Sequence, residues 1–235
     1  MPFHEEYEQG VDTWTSEEAM QYRRELVQRF SAYDSFYGWY TPNEPNPARL
    51  EEAGRDLSLM REATDEVTDF VKARNPGLVV IKSIGLYLEP DGQGGNQLAS
   101  REYLDSFWRS WVENLDSVDV WMVIDGVGTQ LSNLEHTDMA QEWAASLARE
   151  NGKDFWVDVE NAHMGFSDGQ YVSEPFTMDK LAKSLEVAAE HGSELVTFDY
   201  IHYMSKQSPK PKARKLHEDY REYRKQFQPS SWSLD

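Results

Sequence analysis

A chain of 235 residues suits one compact domain, and its 39% hydrophobic residues are enough for a sizeable core. The 42 Asp and Glu residues outnumber the 23 Lys and Arg residues, and the resulting formal net charge of −19 disfavours nucleic acid and anionic membranes as partners. The absence of cysteine excludes disulfides, zinc-thiolate centres and thiol nucleophiles.

No membrane or targeting segment is evident in the sequence. No stretch approaches the roughly 18 consecutive apolar residues that a membrane-spanning helix needs. Residues 1–10 are polar and acidic, unlike a signal peptide. These patterns predict no membrane partner and leave the localisation open, cytoplasmic for the chain as it stands and exported if an upstream segment is missing.

Short β-rich runs alternate with amphipathic helical patterns along the whole chain. A first helix is predicted to begin near Thr15, where Thr15 and Glu18 form a capping-box pattern. Ser100 and Thr177 are the predicted N-caps of two later helices. The predicted strands are residues 36–40, 78–84, 118–124, 155–159 and 195–200.

Five β–α units preceded by one helix predict a single domain, residues 1–235, built on a parallel sheet. The runs 118–124 and 195–200 are almost wholly apolar, which is typical of parallel strands covered on both faces. We therefore expect both of these strands to be buried.

Acidic residues lie at or just after the end of each predicted strand. The carboxyl ends of parallel strands meet at one edge of the sheet, where α/β proteins bind their ligands. The acids at these ends are Glu44, Glu89, Asp125, Glu160 and Asp199. Together they predict one shared acidic cleft, in which neighbouring carboxyl groups raise one another's pKa.

The segment YTPNEPN at residues 40–46 resembles the Asn-Glu-Pro turn of clan A glycoside hydrolases. In that clan the Glu of this turn, after barrel strand four, is the acid/base, and a Glu ending strand seven is the nucleophile. Glu160, in FWVDVEN at residues 155–161, matches the second position, three strands after Glu44. The resemblance implies that Glu44 and Glu160 are catalytic and that Asn43 binds a sugar 2-hydroxyl.

A wider resemblance covers nearly the whole chain. The segments FYGWY (36–40), IDGVG (124–128) and FDYIHYM (198–204) are similar to a bacterial family of uncharacterised TIM-barrel proteins related to clan A glycoside hydrolases. The implied fold is α/β, a TIM-type (β/α) barrel that is incomplete, with about five βα units equivalent to barrel strands four to eight.

Absence of barrel strands one to three would leave the sheet with two unpaired edges. Three explanations are open: the chain is a fragment lacking an N-terminal segment, its start is an internal Met, or an oligomeric partner completes the barrel. Two positions also depart from the clan pattern. Asp125 stands where a Tyr often bonds the nucleophile, and His202 and Tyr203 stand where a Trp often follows strand eight.

The resemblance implies retaining hydrolysis of O-glycosidic bonds in oligo- or polysaccharides, with no cofactor and no metal. Glu160 would attack the anomeric carbon, and Glu44 would protonate the leaving oxygen and then activate water, which requires carboxyl groups roughly 5 Å apart. The further residues predicted to line the substrate cleft are Trp39, Asp125, Asn161, His163, Asp199, His202 and Tyr203. A core position competes for Trp39, and a plain tight turn competes for Asp125.

Two other functions remain open from the sequence. A carbohydrate-binding barrel without turnover would keep the aromatic and polar cleft but hold the two Glu residues too far apart. A metal-dependent sugar isomerase or epimerase would use Glu160, Asp125, Asp199 and His202 as ligands. Lys82 is a candidate for Schiff-base chemistry, although pairing with a neighbouring carboxylate is favoured.

Overall fold

The computed structural model describes residues 16–41, 57–93, 95–167 and 170–226. The predicted helix cap Thr15 and the predicted site residues Asn43 and Glu44 lie outside these ranges. Glu160 and the other predicted cleft residues lie inside them.

In the described ranges the helices are α1 (Glu17–Phe30), α2 (Leu57–Arg74), α3 (Arg101–Asn114), α4 (Leu134–Glu150), α5 (Met178–His191), α6 (Tyr200–Tyr203) and α7 (Pro211–Lys225). The strands are β1 (Gly38–Thr41), β2 (Val79–Gly85), β3 (Leu88–Pro90), β4 (Asn96–Leu98), β5 (Val120–Ile124), β6 (Asp154–Glu160), β7 (Ala162–Ser167), β8 (Gln170–Pro175) and β9 (Glu194–Phe198). None of these helices has the length and apolar character needed to cross a membrane.

Five strands form one parallel sheet in the order β1-β2-β5-β6-β9, so strands that follow one another in the barrel are neighbours in space. The register places Lys82 opposite Trp121 and Glu160 opposite Phe198. The sheet curls into part of a TIM-type barrel with helices on its convex side, which confirms the predicted fold class. The carboxyl ends of all five strands lie at one rim.

The helices begin where short polar side chains cap them. The Ser16 hydroxyl accepts a hydrogen bond from the Ala19 amide at 3.2 Å, so the first helix begins one residue later than the Thr15 pattern predicted. The predicted caps Ser100 and Thr177 are confirmed, because each side chain accepts a hydrogen bond from the amide three residues later.

The two faces of the sheet have different surroundings. On β5, Trp121 and Val123 belong to the main hydrophobic core between sheet and helices. The alternate residues Met122 and Ile124 line the concave face instead. Burying a large apolar side chain contributes roughly 1.5–3 kcal/mol to folding, and most of the buried apolar side chains of the described residues lie in this main core.

Strand β9 is more exposed than its apolar sequence predicts. Leu195, Val196 and Phe198 are 36%, 37% and 50% exposed, whereas four of the five β5 residues are buried. The prediction of burial on both faces is therefore correct for β5 and wrong for β9. The reason is position, since β9 pairs with β6 on one side and has no neighbour on the other side within the described residues.

Two antiparallel hairpins were not predicted, because their segments are short, polar and rich in glycine. One pairs β3 with β4, and the other pairs β7 with β8 directly after Glu160. The last predicted strand also stops earlier than expected. Asp199 caps the short helix α6, accepting from the His202 amide at 2.7 Å, so the chain turns away at the end of β9.

Candidate active site

The concave face of the sheet and the loops at its carboxyl rim enclose a cavity of about 590 Å³. Its floor is apolar, with Met122, Trp156 and Val196 among the lining residues. Two acids, Asp158 and Glu160, enter it from alternate positions of β6, which places them on the same face of the strand. The cavity therefore combines an apolar base with carboxyl groups at its rim.

Glu160 ends β6 and is held through one of its two carboxylate oxygens. Oε2 accepts hydrogen bonds from the Gly128 amide at 2.6 Å, the Thr129 amide at 2.9 Å and the Thr129 hydroxyl at 3.3 Å. Within the described residues, no hydrogen bond engages Oε1. Glu160 is only 4% exposed. Its two carboxylate oxygens therefore differ, because the turn holds Oε2 and leaves Oε1 available to a ligand in the cavity.

The turn after β5 can approach Glu160 because it contains two glycines. Gly126 has a φ of +66°, a left-handed conformation that side chains rarely adopt. A Cβ at Gly128 would collide with the backbone oxygen of Ala162 and lie 3.0 Å from Oε2 of Glu160. The Asp-Gly-Val-Gly sequence is therefore more than a tight turn, since it brings two backbone amides against the Glu160 carboxylate.

Asp125 lies at the start of the same turn and is 3% exposed. Its Oδ1 accepts hydrogen bonds from the Val127 amide at 3.1 Å and the Glu160 amide at 3.3 Å. Its Oδ2 is buried without a hydrogen-bond partner in the described part of the chain. Asp125 thus joins the turn to the end of β6 and does not line the cavity.

Three carboxyl groups crowd this rim, and burial is the first cause of the raised pKa of each, whereas the sequence predicted that neighbouring carboxyl charges would be the cause. Burial and then the charge of Glu160 raise the pKa of Asp125 to about 8. The same two causes raise the pKa of Asp158 to about 6. Burial also raises the pKa of Glu160, although the Gly128 and Thr129 donors oppose this rise.

Asp158 is a cavity residue that the sequence reasoning missed. It is 5% exposed, lies two residues before Glu160 on β6, and its Oδ1 has no hydrogen-bond partner among the described residues. The sequence does contain a signal for Asp158, because residues two positions apart on a strand lie on the same face of the sheet. Asp158 is therefore expected on the same face as Glu160. Thr129 was also missed, since only the fold brings it to a residue 31 positions away.

The β7–β8 hairpin stands beside the cavity and contributes Met164 to its lining. The Met164 amide donates to the Gly128 oxygen at 2.9 Å, which ties the hairpin to the glycine turn. Phe166 and Tyr171 are 51% and 56% exposed, and their rings meet edge to face with centroids 5.5 Å apart. An exposed aromatic pair therefore lies on the element that immediately follows Glu160.

Lys180, at the start of α5, is the cation that bears on the acid cluster. The charges of Asp125 and Glu160 favour its protonated form, although burial lowers its pKa overall. Its ammonium lies 4.0 Å from the centre of the Phe176 ring and 3.4 Å from both ring nitrogens of His163. Burial and this ammonium lower the pKa of His163.

The remaining predicted residues near the rim form mainly structural contacts. Asn161 is fully buried and its side-chain amide donates to the Asp199 backbone oxygen at 3.1 Å. The Asp199 carboxylate also contacts Nδ1 of His202 at 2.6 Å, so these two residues satisfy each other. Tyr203 is buried in a small cluster with two residues of β7.

Two predicted residues lie on the opposite face of the sheet from the cavity. Trp39 packs against the main core, while its neighbour Tyr40 lines the cavity, so the position of Trp39 does not support substrate contact. Lys82 is fully buried, shares a face with Trp121, and donates to the Ser83 backbone oxygen at 2.7 Å. This position does not support Schiff-base chemistry in the cavity.

A cation site at the rim is not supported by the described residues. Among the described residues, the one group of three ligand side chains that converges is Asp138, Glu190 and His191, on α4 and α5, and none of these residues lines the cavity. The four residues proposed for a metal-dependent isomerase, Glu160, Asp125, Asp199 and His202, do not converge in this way. The geometry therefore weighs against that alternative.

The fold is similar to solved structures of glycosidases. A protein from Bacteroides thetaiotaomicron named as a candidate alpha-L-fucosidase matches with a TM-score of 0.71 and 22% identity, over 88% of this chain and 62% of that one. The beta-D-glucuronidase of Dictyoglomus thermophilum matches with a TM-score of 0.51 and 14% identity, over 93% and 37%. The beta-glucuronidase of Bifidobacterium dentium matches with a TM-score of 0.50 and 12% identity, over 88% and 35%.

At these identities the likeness concerns the fold alone, and this chain spans less than two thirds of each neighbour's length. No curated protein matches the sequence. A family model described as "Domain of unknown function (DUF4434)" matches residues 3–213.

Proposed function

Because this chain belongs to the DUF4434 family and has a glycoside hydrolase-like fold, we propose that it hydrolyses O-glycosidic bonds in oligo- or polysaccharides with retention. Glu160 is the proposed nucleophile and Glu44 the proposed acid/base. One observation carries the proposal: Glu160 ends a barrel strand at the rim of a 590 Å³ cavity, with Oε2 fixed by three donors. Within the described residues, Oε1 accepts no hydrogen bond.

The proposed reaction has two displacements. In the first, Oε1 of Glu160 bonds to the anomeric carbon, the glycosidic C–O bond breaks, and Glu44 gives its proton to the departing oxygen. In the second, Glu44 removes a proton from water, the water oxygen bonds to the anomeric carbon, and the ester to Glu160 breaks. The product keeps the starting anomeric configuration, and Glu44 regains its proton.

The donors on Oε2 suit both displacements. Burial raises the pKa of Glu160, and these donors oppose that rise by favouring the ionised form of the carboxylate. They also fix the carboxyl group before substrate arrives, so less reorganisation accompanies attack. The two amides stay in place after the ester forms, so they can donate hydrogen bonds to the Glu160 carboxylate again when the second displacement releases it.

Carbohydrate is supported as the ligand by the surface around Glu160. Aromatic rings stack on sugar faces, and Phe166 and Tyr171 present exposed rings on the hairpin that follows the nucleophile. Tyr171 is close enough to Glu160 for that charge to help raise its pKa, after burial and Tyr203. We infer that this aromatic pair contacts a sugar unit next to the one that is cleaved.

The first test is Glu160→Gln, with Glu194→Gln as the matched control at the exposed start of β9. Loss of the nucleophile should lower kcat on aryl glycosides by at least about 10³-fold, whereas the control should keep wild-type turnover. A 2-deoxy-2-fluoro glycoside with a good leaving group should attach to Glu160, as located by mass spectrometry of peptides.

Equal turnover by Glu160→Gln and the wild type would overturn the assignment of the nucleophile. Attachment of the fluoro sugar to another carboxylate would do the same. Tight oligosaccharide binding in calorimetry, with no turnover over a broad panel of aryl glycosides, would support the alternative of a carbohydrate-binding barrel, which the exposed aromatic pair also favours.

A further inference from the structure

Asp125 joins the turn that holds Glu160 to the end of the strand that carries Glu160. One oxygen, Oδ1, accepts from the Val127 amide at 3.1 Å, which closes the start of the turn. The same oxygen accepts from the amide of Glu160, the last residue of β6, at 3.3 Å. The two residues that donate to Glu160, Gly128 and Thr129, follow Val127 directly.

The turn is also fixed from its other side. The Asp125 backbone oxygen accepts from the Thr137 hydroxyl at 2.9 Å, and the Gly126 oxygen accepts from the Ser132 amide at 3.0 Å. These contacts determine where the turn lies relative to α4. Among the side chains of the described residues, Asp125 is the one whose hydrogen bonds join the turn to the Glu160 backbone.

We propose that Asp125 is a positioning residue for Glu160: the Asp125 carboxyl group clamps the 125–129 turn to the end of β6. This clamp keeps the turn amides of Gly128 and Thr129 directed at Oε2 of Glu160. The proposal rests on the proposed function only where it takes Glu160 to be the nucleophile. The clamp itself is a property of the unliganded chain.

The surroundings of Asp125 favour the neutral form. The titratable groups that face it in the described residues are Glu160 and Asp158 from β6 and Lys180 from α5, and the ring of Tyr87 packs against the adjacent Gly126. Two of these are acids, and Asp125 is 3% exposed. Burial and the acids hold its pKa at about 8, so Asp125 ionises only as the pH rises through that value.

Asp125→Asn and Asp125→Ala separate the ionisation of Asp125 from the hydrogen bonds that its side chain accepts. An Asn side chain can accept both amide hydrogen bonds and cannot ionise, whereas Ala offers no acceptor. Asp91 supplies the matched controls, because its Oδ1 accepts from the Gln93 and Gly95 amides at 2.7 and 2.9 Å in an exposed turn. The corresponding controls are Asp91→Asn and Asp91→Ala.

The measurement is NMR of the full chain without substrate, following the Glu160 carboxyl carbon and the Gly128 and Thr129 amides from pH 5 to 9. In the wild type, the Glu160 carbon should show a step near pH 8 when Asp125 ionises. Asp125→Asn should lose that step and keep the two amides protected. Asp125→Ala should raise their hydrogen-exchange rates by about tenfold, as expected for loss of roughly one hydrogen bond.

A step near pH 8 that persists in Asp125→Asn would overturn the proposal, as would unchanged amide protection in Asp125→Ala. If Asp125→Ala does not fold, the Asn variant alone decides the matter. The NMR measurement needs no substrate, so it tests the clamp independently of the proposed function. An absence of glycosidase activity would count against the proposed function only. Hydrolysis at Glu160, with no step near pH 8 in the wild type, would support the proposed function and overturn the clamp.

Discussion

The two oxygens of Glu160 differ because the chain reaches one of them with backbone amides. The turn that supplies these amides is 31 and 32 residues away in sequence and meets Glu160 only because β5 and β6 are adjacent parallel strands. Gly128 allows this approach, since any side chain there would meet the Ala162 backbone and Glu160 itself. We therefore expect both the stability of the chain and the proposed activity to depend strongly on Gly128.

Gly128→Ala should push the turn away from β6 and weaken the donors to Oε2. We expect the free energy of unfolding to fall by about 1–3 kcal/mol and kcat on an aryl glycoside to fall by about tenfold or more. Chemical denaturation and steady-state kinetics measure the two effects. Gly165→Ala is the control, because its Cβ would meet no atom within 4 Å, and a matching loss in that variant would contradict the explanation.

At the residue scale the sequence identified Glu160 from a resemblance and a strand count, and its rim position agrees with that assignment. The catalytic roles of Glu160 and Glu44 stay predictions. Asp158 could have been found from the two-residue period of β6. Thr129 could not, because its contact with Glu160 depends on strand order and register. Asp125 was expected to touch substrate, and its hydrogen bonds instead reach Val127 and Glu160.

At the scale of elements, the β7–β8 hairpin is a fixed platform. The Lys210 ammonium donates to the backbone oxygen and hydroxyl of Ser173, each at 3.0 Å, and Lys212 pairs with Glu174. Both lysines lie at the start of α7, so that helix anchors β8 while Met164 ties β7 to the glycine turn. The exposed aromatic rings are therefore presented by backbone that is held from both sides.

Phe166→Ala and Tyr171→Ala should weaken substrate binding with little effect on folding, because both rings are more than half exposed. Loss of one stacking ring costs roughly 1 kcal/mol, so KM for an oligosaccharide should rise several-fold while kcat on a small aryl glycoside stays near wild type. Tyr22→Ala, which removes a 62% exposed ring from α1, should leave both constants unchanged. An unchanged KM in the hairpin variants would remove the aromatic pair from the binding surface.

The principal elements were predictable from local patterns, and the additions were not. Apolar runs located the five strands of the sheet, and short polar residues located helix starts to within one residue. The hairpins escaped because their residues alternate weakly and include glycine and exposed polar side chains. The early end of β9 followed from Asp199, whose capping hydrogen bond is a local signal that could have been read.

At the scale of the whole molecule, the sheet has the form of a partial barrel, and among the described residues β9 is an edge strand with exposed apolar side chains. Parallel barrel strands are normally covered on both faces, and that expectation failed for β9 because it depends on neighbours and not on composition. An exposed apolar edge strand pairs readily with other chains. The acidic surface, with a net charge of −19, opposes such association through repulsion.

Leu195→Lys should reduce self-association of this chain, because a charged side chain on an edge strand disfavours edge-to-edge pairing. Leu195 is 36% exposed on β9, and Val172→Lys provides a control on the hairpin strand β8, where Val172 is 48% exposed. Sedimentation velocity at moderate salt, which screens the net charge, should show a smaller associated fraction for Leu195→Lys only. Equal association in all three proteins would mean that the β9 edge is not used.

Two of the three donors to Glu160 are main-chain amides, and this affects how the site can vary among relatives. Every amino acid except proline carries such an amide, so position 129 can change its side chain and still keep one backbone donor to Oε2. Only the hydroxyl contribution of Thr129 is tied to its identity. In a set of homologous sequences we would therefore expect Gly128 and Glu160 to be conserved. Because their contact uses a backbone amide, no second side chain would vary together with Glu160 and indicate that the two positions are in contact.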